Sequence, residues 1–326
     1  MKRREFLSMT GMIAAAGVAS PVLSSCCETS KGVVNTKNIT KKYETEVLVV
    51  GGGPAGVCAA VAAAREGVKV MIVETANFLG GMATRSLVGP FMTCFDAAGE
   101  QMIIKGLFEE IVDRMVAKGG AIHPKDVRAT TPYSAWITAG HDHCTPFEPE
   151  CMKLVLDEMV EEAGIKVLFH TDFIEPILKG GRITGAVISN KAGLQMVDAK
   201  VVIDCTGDGD VAYRSGVPCH FGNENGKPQP STAFFHINNV DSKKLEADVQ
   251  KHLHGFRKVG GVSYRALHWW VAEAEKNGEW DIARKSVNIY KCVQDDEWCV
   301  NCSRIQNVDS TDPESLTSAE IEGRKQ

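Results

Sequence analysis

No block of basic residues interrupts the main part of the chain, and the formal charge is -5, so no cationic surface is available to track a phosphate backbone. Nucleic acid is thereby excluded as a partner class. Long apolar runs are lacking too: the segment ending at Leu23 is short and rich in Gly, Ser and Ala, which is not the make-up of a membrane span. The 11 cysteines are scattered, and 326 residues bury enough core to fold without disulfide staples. Cys58, Cys205 and Cys219 stand in apolar or Gly-rich surroundings and read as small packed hydrophobes. Cys299 and Cys302 have CxxC spacing, but no helix is expected to begin at the first of them, as a redox pair requires. Zinc there would need two further ligands, of which Cys292 supplies one, so no metal site is assigned.

The organising stretch is residues 46–74. Residues 46–50 form a nearly continuous run of apolar β-formers, expected of a strand buried on both faces in a parallel sheet. Gly51, Gly53 and Gly56 follow at GxGxxG spacing, suited to a tight turn, a close approach to a diphosphate, and close helix packing. Pro54 fits the first helical turn, Ala55 begins an Ala-rich helix running to Arg65, and Gly67 supplies its stop. A second apolar strand over 69–73 ends at Glu74, about 20 residues beyond the glycines, where a carboxylate can accept both ribose hydroxyls of an adenosine. This unit predicts dinucleotide binding and leaves FAD and NAD both open. Gly80 and Gly81 then mark a second close approach of backbone to something bulky, and Thr84 lies just beyond. A flavin, whose body continues past the diphosphate, has use for such a place.

Further along, helical spacing is expected over 103–118 and from Pro149 to a stop at Gly164. Strands are expected at 166–170, 173–178, 183–189 and 201–204, with a Gly180-Gly181 turn between two of them. The last strand opens into Thr206, Gly207, Asp208 and Gly209. Gly207, Gly209 and Ala212 repeat a GxGxxA spacing, but Asp208 and Asp210 would set negative charge against a diphosphate. The stretch is better suited to a turn returning to the first cofactor site, with Thr206 and Asp208 as polar contacts or caps. Residues 231–237 read as a strand of a second region and 245–276 as mostly helical; Trp269, Trp270, Trp280 and Trp298 read as pocket walls or core.

The N-terminus has its own signature. Lys2, Arg3 and Arg4 before Glu5, Phe6 and Leu7 form a twin-arginine pattern. Residues 23–26 resemble the lipobox of bacterial lipoproteins, which implies lipidation at Cys26 after removal of the leader. The polar, aperiodic stretch that follows is expected to be a flexible tether.

Together these pieces resemble the FAD-dependent oxidoreductases with a glutathione-reductase type of flavin domain. Within these, the chain is similar to a bacterial branch reading GGGPAG, GGMAT and IDATGDGD in order, matched at 51–56, 80–84 and 203–210, except that Cys205 replaces the usual Ala. The resemblance implies an α/β fold: a Rossmann-like FAD-binding domain, with a parallel sheet, helices and a β-meander, plus a smaller α+β cap or substrate domain. The expected boundaries are a signal at 1–26, a tether at 27–43, the FAD-binding domain at 44–90 and 149–222, and the cap at 91–148 and 223–326. It further implies that Glu74 holds the ribose, that residues 80–84 lie along the flavin, and that Phe173 passes the adenine. Proteins of this type end with a further strand and helix over the flavin ring. No such segment follows the capped helix start at Asp312 and Pro313, so the chain is expected to be C-terminally incomplete, with weak or no turnover by itself.

The implied function is that of an exported, lipid-anchored oxidoreductase using FAD on a small organic substrate. Alternatives are a non-catalytic FAD-binding lipoprotein or subunit, and an NAD-dependent dehydrogenase. Hydride removal from an alcohol or amine calls for a base, and His141 and His143, flanking Asp142, are the densest cluster of candidates.

Overall fold

The computed structural model describes residues 39, 42–138, 140–259 and 262–326. The twin-arginine segment, Cys26 and nearly all of the tether lie outside the described residues.

β1 (Lys42–Val50) leads into α1 (Pro54–Arg65) and β2 (Val70–Val73). The one-turn α2 (Gly81–Thr84), α3 (Leu107–Ala117) and α4 (Pro149–Glu162) precede β3 (Lys166–Leu168), β4 (Asp172–Lys179), β5 (Arg182–Asn190) and β6 (Gly193–Asp204). After α5 (Asp210–Arg214) come β7 (Phe234–Ile237), α6 (Ser242–His252), β8 (Arg257–Val259), β9 (Val262–Tyr264), α7 (His268–Lys276), β10 (Asn288–Lys291), β11 (Trp298–Asn301) and α8 (Pro313–Lys325). The main sheet has the order β3-β2-β1-β6-β5-β4, parallel from β3 to β6 and antiparallel through β6, β5 and β4. A three-stranded antiparallel sheet, β10-β11-β7, forms a second, smaller layer. The α/β class, with a parallel-rich sheet and a meander, is as expected from the sequence.

Alternation along β1 and β2 explains their continuous apolarity. Val49 and Ile72 bury against α1, α3 and α4, contacting the cluster that holds Val57, Val61, Met115, Met152 and Leu156. Leu48, Val50, Met71 and Val73 bury on the other face with Ala186, Ile188, Val197 and Val211. Since successive side chains point to opposite faces, a strand covered on both sides must be apolar at every position.

Several boundaries differ from the sequence expectation. β1 begins at Lys42 because β6 continues beside it, pairing Lys42 with Met196. β6 itself runs from Gly193, eight residues earlier than expected, because its first half pairs with β5 rather than with an apolar layer. α3 starts at Leu107, not 103: Gly106 has φ 66°, and the amides of Ile103 and Ile104 donate to the Cys94 carbonyl instead. The stretch 245–276 is interrupted by the antiparallel pair of β8 and β9. Gly180 and Gly181 take positive φ, 55° and 76°, as a two-residue hairpin turn between β4 and β5 requires.

Candidate functional site

β1, β2 and β6 end level with one another: Val50 is opposite Val73 on one side and Asp204 on the other. Their exit loops therefore lie side by side. The Gly51 amide donates to the Val73 carbonyl at 2.9 Å, and the Cys205 amide to the Val50 carbonyl at 2.8 Å. Crevices at the carboxyl ends of parallel strands are where ligands of open α/β sheets bind.

The three patterned glycines have two different reasons to exist. Gly51 has φ 102°, and a Cβ there would sit 2.2 Å from the Cys205 carbonyl oxygen. At Gly56 it would sit 1.9 Å from the Gly51 carbonyl oxygen. Both are demanded by the chain's own packing. Gly53 is different: its φ is -66°, which any residue adopts, and the nearest atom to an added Cβ is the Gly81 Cα at 4.0 Å. Gly53 thus borders open space at the N-terminus of α1, whose first amides no side chain caps. Pro54 stands at N1, and Ala55 is exposed. Free helix amides and the helix dipole make that space a seat for an anion such as a nucleotide diphosphate.

Glu74 faces the same loop. Its side chain is 7 % exposed; Oε2 accepts from the Gly52 amide at 2.6 Å and Oε1 from the Ala76 amide at 2.7 Å. An ionised carboxylate offers about four acceptor positions, so each oxygen keeps one for a sugar hydroxyl. The chain leaving β3 crosses beside it: the Thr171 amide donates to the Glu74 carbonyl, and Thr75 Oγ1 donates to Asp172 at 2.5 Å. Phe173, half-buried at the start of β4, packs with the cluster of Leu48, Val50 and Met71.

The second glycine pair folds onto the first. The Gly80 amide donates to the Gly52 carbonyl at 2.9 Å, and a Cβ on Gly81 would meet the Gly53 Cα at 3.0 Å. Gly80 takes φ 105° as the cap of α2, and Thr84 closes that turn by donating Oγ1 to the Leu79 carbonyl at 2.7 Å. The Thr84 side chain is thereby occupied internally. On the third loop, Thr206 acts as a cap: its Oγ1 accepts the Gly209 and Asp210 amides while donating to Asp204 Oδ1 at 2.8 Å. Asp204 also accepts the Thr206 and Ala212 amides. This hub was not foreseen from sequence, where a strand-end Asp before Thr-Gly carries no mark of its partners. Gly207 has positive φ, and Asp208 is exposed.

The two histidines part company. His143 is 1 % exposed and stacks on Phe95 at 3.9 Å. Its Nδ1 lies 2.8 Å from the Pro124 carbonyl and its Nε2 3.1 Å from the Gly99 carbonyl, with the Arg128 guanidinium against it as well. It pins three loops together and has no free nitrogen to offer. His141 is half-buried, stacks on Tyr290, and sets Nδ1 3.2 Å from the Ser134 carbonyl. A carbonyl only accepts, so the proton sits on Nδ1 and Nε2 is an acceptor. Burial, then the nearby Arg265 charge, hold this imidazole below its ordinary pKa.

The cysteine and tryptophan readings are mostly packing. Cys58 and Cys205 pack against the α1 core, whereas Cys219 is exposed, contrary to the expectation, because it lies on the loop beyond α5. Cys299 lies in β11, not at a helix start, and burial pushes its thiol up to about 12. Trp298 is fully buried against Trp136 and donates Nε1 to Ser242, and Trp269 stacks on His252. Trp270 is half exposed.

The chain is 27% identical over 188 residues to the digeranylgeranylglycerophospholipid reductase of Methanosphaerula palustris, covering 51% of this chain and 39% of that protein. It is 31% identical over 179 residues to the thiamine thiazole synthase of Methanococcus aeolicus, covering 52% and 57%. The chain thus spans about half the length, or less, of these relatives. Among solved structures, L-proline dehydrogenase from P. horikoshii superimposes with a TM-score of 0.47 at 14% identity, over 87% of this chain and 77% of that one. The sequence model of the FAD dependent oxidoreductase family matches residues 46–326, nearly everything after the N-terminal segment, and the chain belongs to that FAD-using family.

Proposed function

We propose that this protein is an exported, lipid-anchored oxidoreductase of a bacterial cell, acting through FAD on a small organic substrate. The observation that carries the cofactor reading is the open side of Gly53 beside uncapped helix amides, with the buried Glu74 carboxylate one strand away. In this reading the amides of Gly53, Ala55 and Gly56, in a turn shaped by Gly51 and Pro54, hold the diphosphate. Glu74 takes the ribose hydroxyls, and Phe173 lies along the adenine. Gly80, Gly81 and Thr84 form the wall beside the flavin half, and the Thr206, Gly207 and Asp208 turn closes the third side. The bound flavin supplies the electron chemistry.

The chain's own residues orient the substrate and manage its proton. His141, with Nδ1 fixed by the Ser134 carbonyl, presents Nε2 as the base that takes a proton from an alcohol or amine. The buried, fully engaged ring of His143 suits it to holding the loop in place. Export rests on the twin-arginine pattern and anchoring on Cys26, the lipobox cysteine. Twin-arginine export carries folded proteins, which fits a protein that must take up its cofactor before leaving the cytoplasm.

A substrate screen scored by loss of flavin absorbance tests the catalytic half of the proposal. Bleaching by a small alcohol or amine, slowed by His141→Gln with the bound-flavin spectrum intact, supports it. A stable flavin complex that no candidate substrate reduces favours the alternative of a flavin-carrying subunit.

A further inference from the structure

In the second layer, three side chains of ligand type meet at one end of the three-stranded sheet. His236 lies on β7, Cys292 directly after β10 and Glu297 directly before β11. The β10–β11 turn closes through a bond from the Cys292 amide to the Glu297 carbonyl, and β7 brings His236 alongside. His236 Nδ1 is 2.6 Å from Glu297 Oε1 and 3.9 Å from Cys292 Sγ, and all three ligand atoms lie within 4.8 Å of one another. His236 and Cys292 line a cavity of about 10 Å³ with Phe147 and Pro149, close to the least that holds one water or ion.

Glu148 supplies an independent sign. It stands at the N-cap of α4, where a carboxylate ordinarily accepts the first helix amides, yet it makes no capping bond. Its Oε1 is instead buried with no hydrogen-bond partner, and its sequence neighbours Phe147 and Pro149 both line the cavity. Burial first, and then the Glu297 charge, raise the Glu148 carboxyl above its ordinary pKa, against a lowering by His236 and by the Gln294 and Val293 amides. A buried carboxyl oxygen without a partner is costly until a proton or a donor such as a bound water satisfies it. Lys291, which also lines the cavity, is already engaged with Glu246 and Asp295 at 2.8 and 2.7 Å.

We propose that His236, Cys292 and Glu297 form a site for one zinc-class divalent cation, with a water as the fourth ligand that donates to the unpartnered Glu148 oxygen and so links the smaller sheet to the start of α4. Imidazole, thiolate and carboxylate together suit zinc rather than magnesium or calcium. Zinc bonds of about 2.0–2.3 Å put tetrahedral ligand atoms roughly 3.3–3.6 Å apart. From 2.6 Å the His236–Glu297 contact has to open by roughly 0.7 Å, and from 3.9 Å the His236–Cys292 contact has to close by roughly 0.3 Å. On binding, Cys292 loses its thiol proton to solvent. The His236 proton moves from Nδ1 to Nε2, so that the hydrogen bond to Glu297 gives way to two coordination bonds.

The test uses FAD-loaded protein freed of metal by a chelator, then given zinc or cobalt. Zinc per chain is measured after desalting, and the cobalt spectrum is read against the zinc-loaded protein so that flavin absorbance cancels. The expected result is one zinc per chain and a cobalt spectrum with a sulfur-to-metal charge-transfer band. Cys292→Ser and His236→Gln should each weaken zinc on the order of 100-fold, and Glu148→Gln about 10-fold. Melting of each variant without zinc identifies those that fold; if none does, the wild-type cobalt band decides alone. Failure of the wild type to retain zinc, a cobalt spectrum lacking the sulfur band, or equal retention by a folded Cys292→Ser protein overturns the proposal.

Discussion

Replacing Gly53 by Ala separates what the fold needs from what the cofactor needs. With φ at -66° and the nearest atom 4.0 Å from the new methyl, the folded chain accepts alanine without strain. Loss of unfolded-chain freedom then raises stability by about 0.4–1 kcal/mol. For a chain of this size that is roughly a 0.5–1.5 °C rise in Tm of the flavin-free protein. The same methyl occupies the space beside the α1 amides where a phosphate oxygen would sit. Loss of one charge-assisted amide bond costs about 1.5–3 kcal/mol, which is roughly a 10- to 150-fold rise in the Kd for FAD. The assay is quenching of flavin fluorescence on titration, paired with thermal melting of the flavin-free protein. A Gly53→Ala protein that binds FAD as tightly as the wild type would refute the reasoning. Gly56→Ala is the contrast: with its Cβ 1.9 Å from the Gly51 carbonyl oxygen, the cost, on the order of 3 kcal/mol, falls on folding itself.

Glu74→Ala strands the buried Gly52 amide and the part-buried Ala76 amide, so urea denaturation should show a loss of about 1–3 kcal/mol alongside weakened FAD binding. His143→Ala removes a ring held by two carbonyls and should cost at least about 2 kcal/mol of stability, while flavin reduction per bound flavin stays unchanged. For His141 the sign is fixed by its lowered pKa: the neutral base persists to lower pH than an ordinary histidine, so the midpoint of the fall in reduction rate on acidification should lie below pH 6.5. The same shift makes the unfolded chain the better proton binder, so the stability contribution of His141 is constant above 6.5 and is lost as pH falls through its folded pKa. Among the described cysteines Cys219 is the exposed one, and a thiol reagent at neutral pH should label it first, with Cys299 reacting only on unfolding.

The first crossover was legible because every constraint on it is local. Burial on both faces makes β1 and β2 apolar throughout, and the turn leaves glycine the one residue that fits at 51 and 56. β6 was legible only in its last third, Val201–Asp204, although it pairs with β1 from Met196 onward. Residues 193–200 mix Gln, Asp and Lys with apolar positions because the meander covers them unevenly. Ile103 and Ile104 imitate a helix face yet stand exposed, since Gly106 ends the turn before α3. The histidine cluster could be seen but not its depth: what buries His143 is Phe95 and Arg128, and neither has a spacing that points to it. His236, Cys292 and Glu297 meet through strand pairing between segments more than 50 residues apart, which no short-range pattern encodes.

The account rests on the adenosine diphosphate half of FAD being gripped by the 51–56 turn and Glu74, and a competition titration measures that directly. Protein stripped of flavin is titrated with FAD in the presence of ADP or of riboflavin, and quenching of FAD fluorescence is followed. The predicted result is saturation at one FAD per chain, with ADP competing and riboflavin competing poorly. Strong competition by riboflavin with none by ADP would contradict the account.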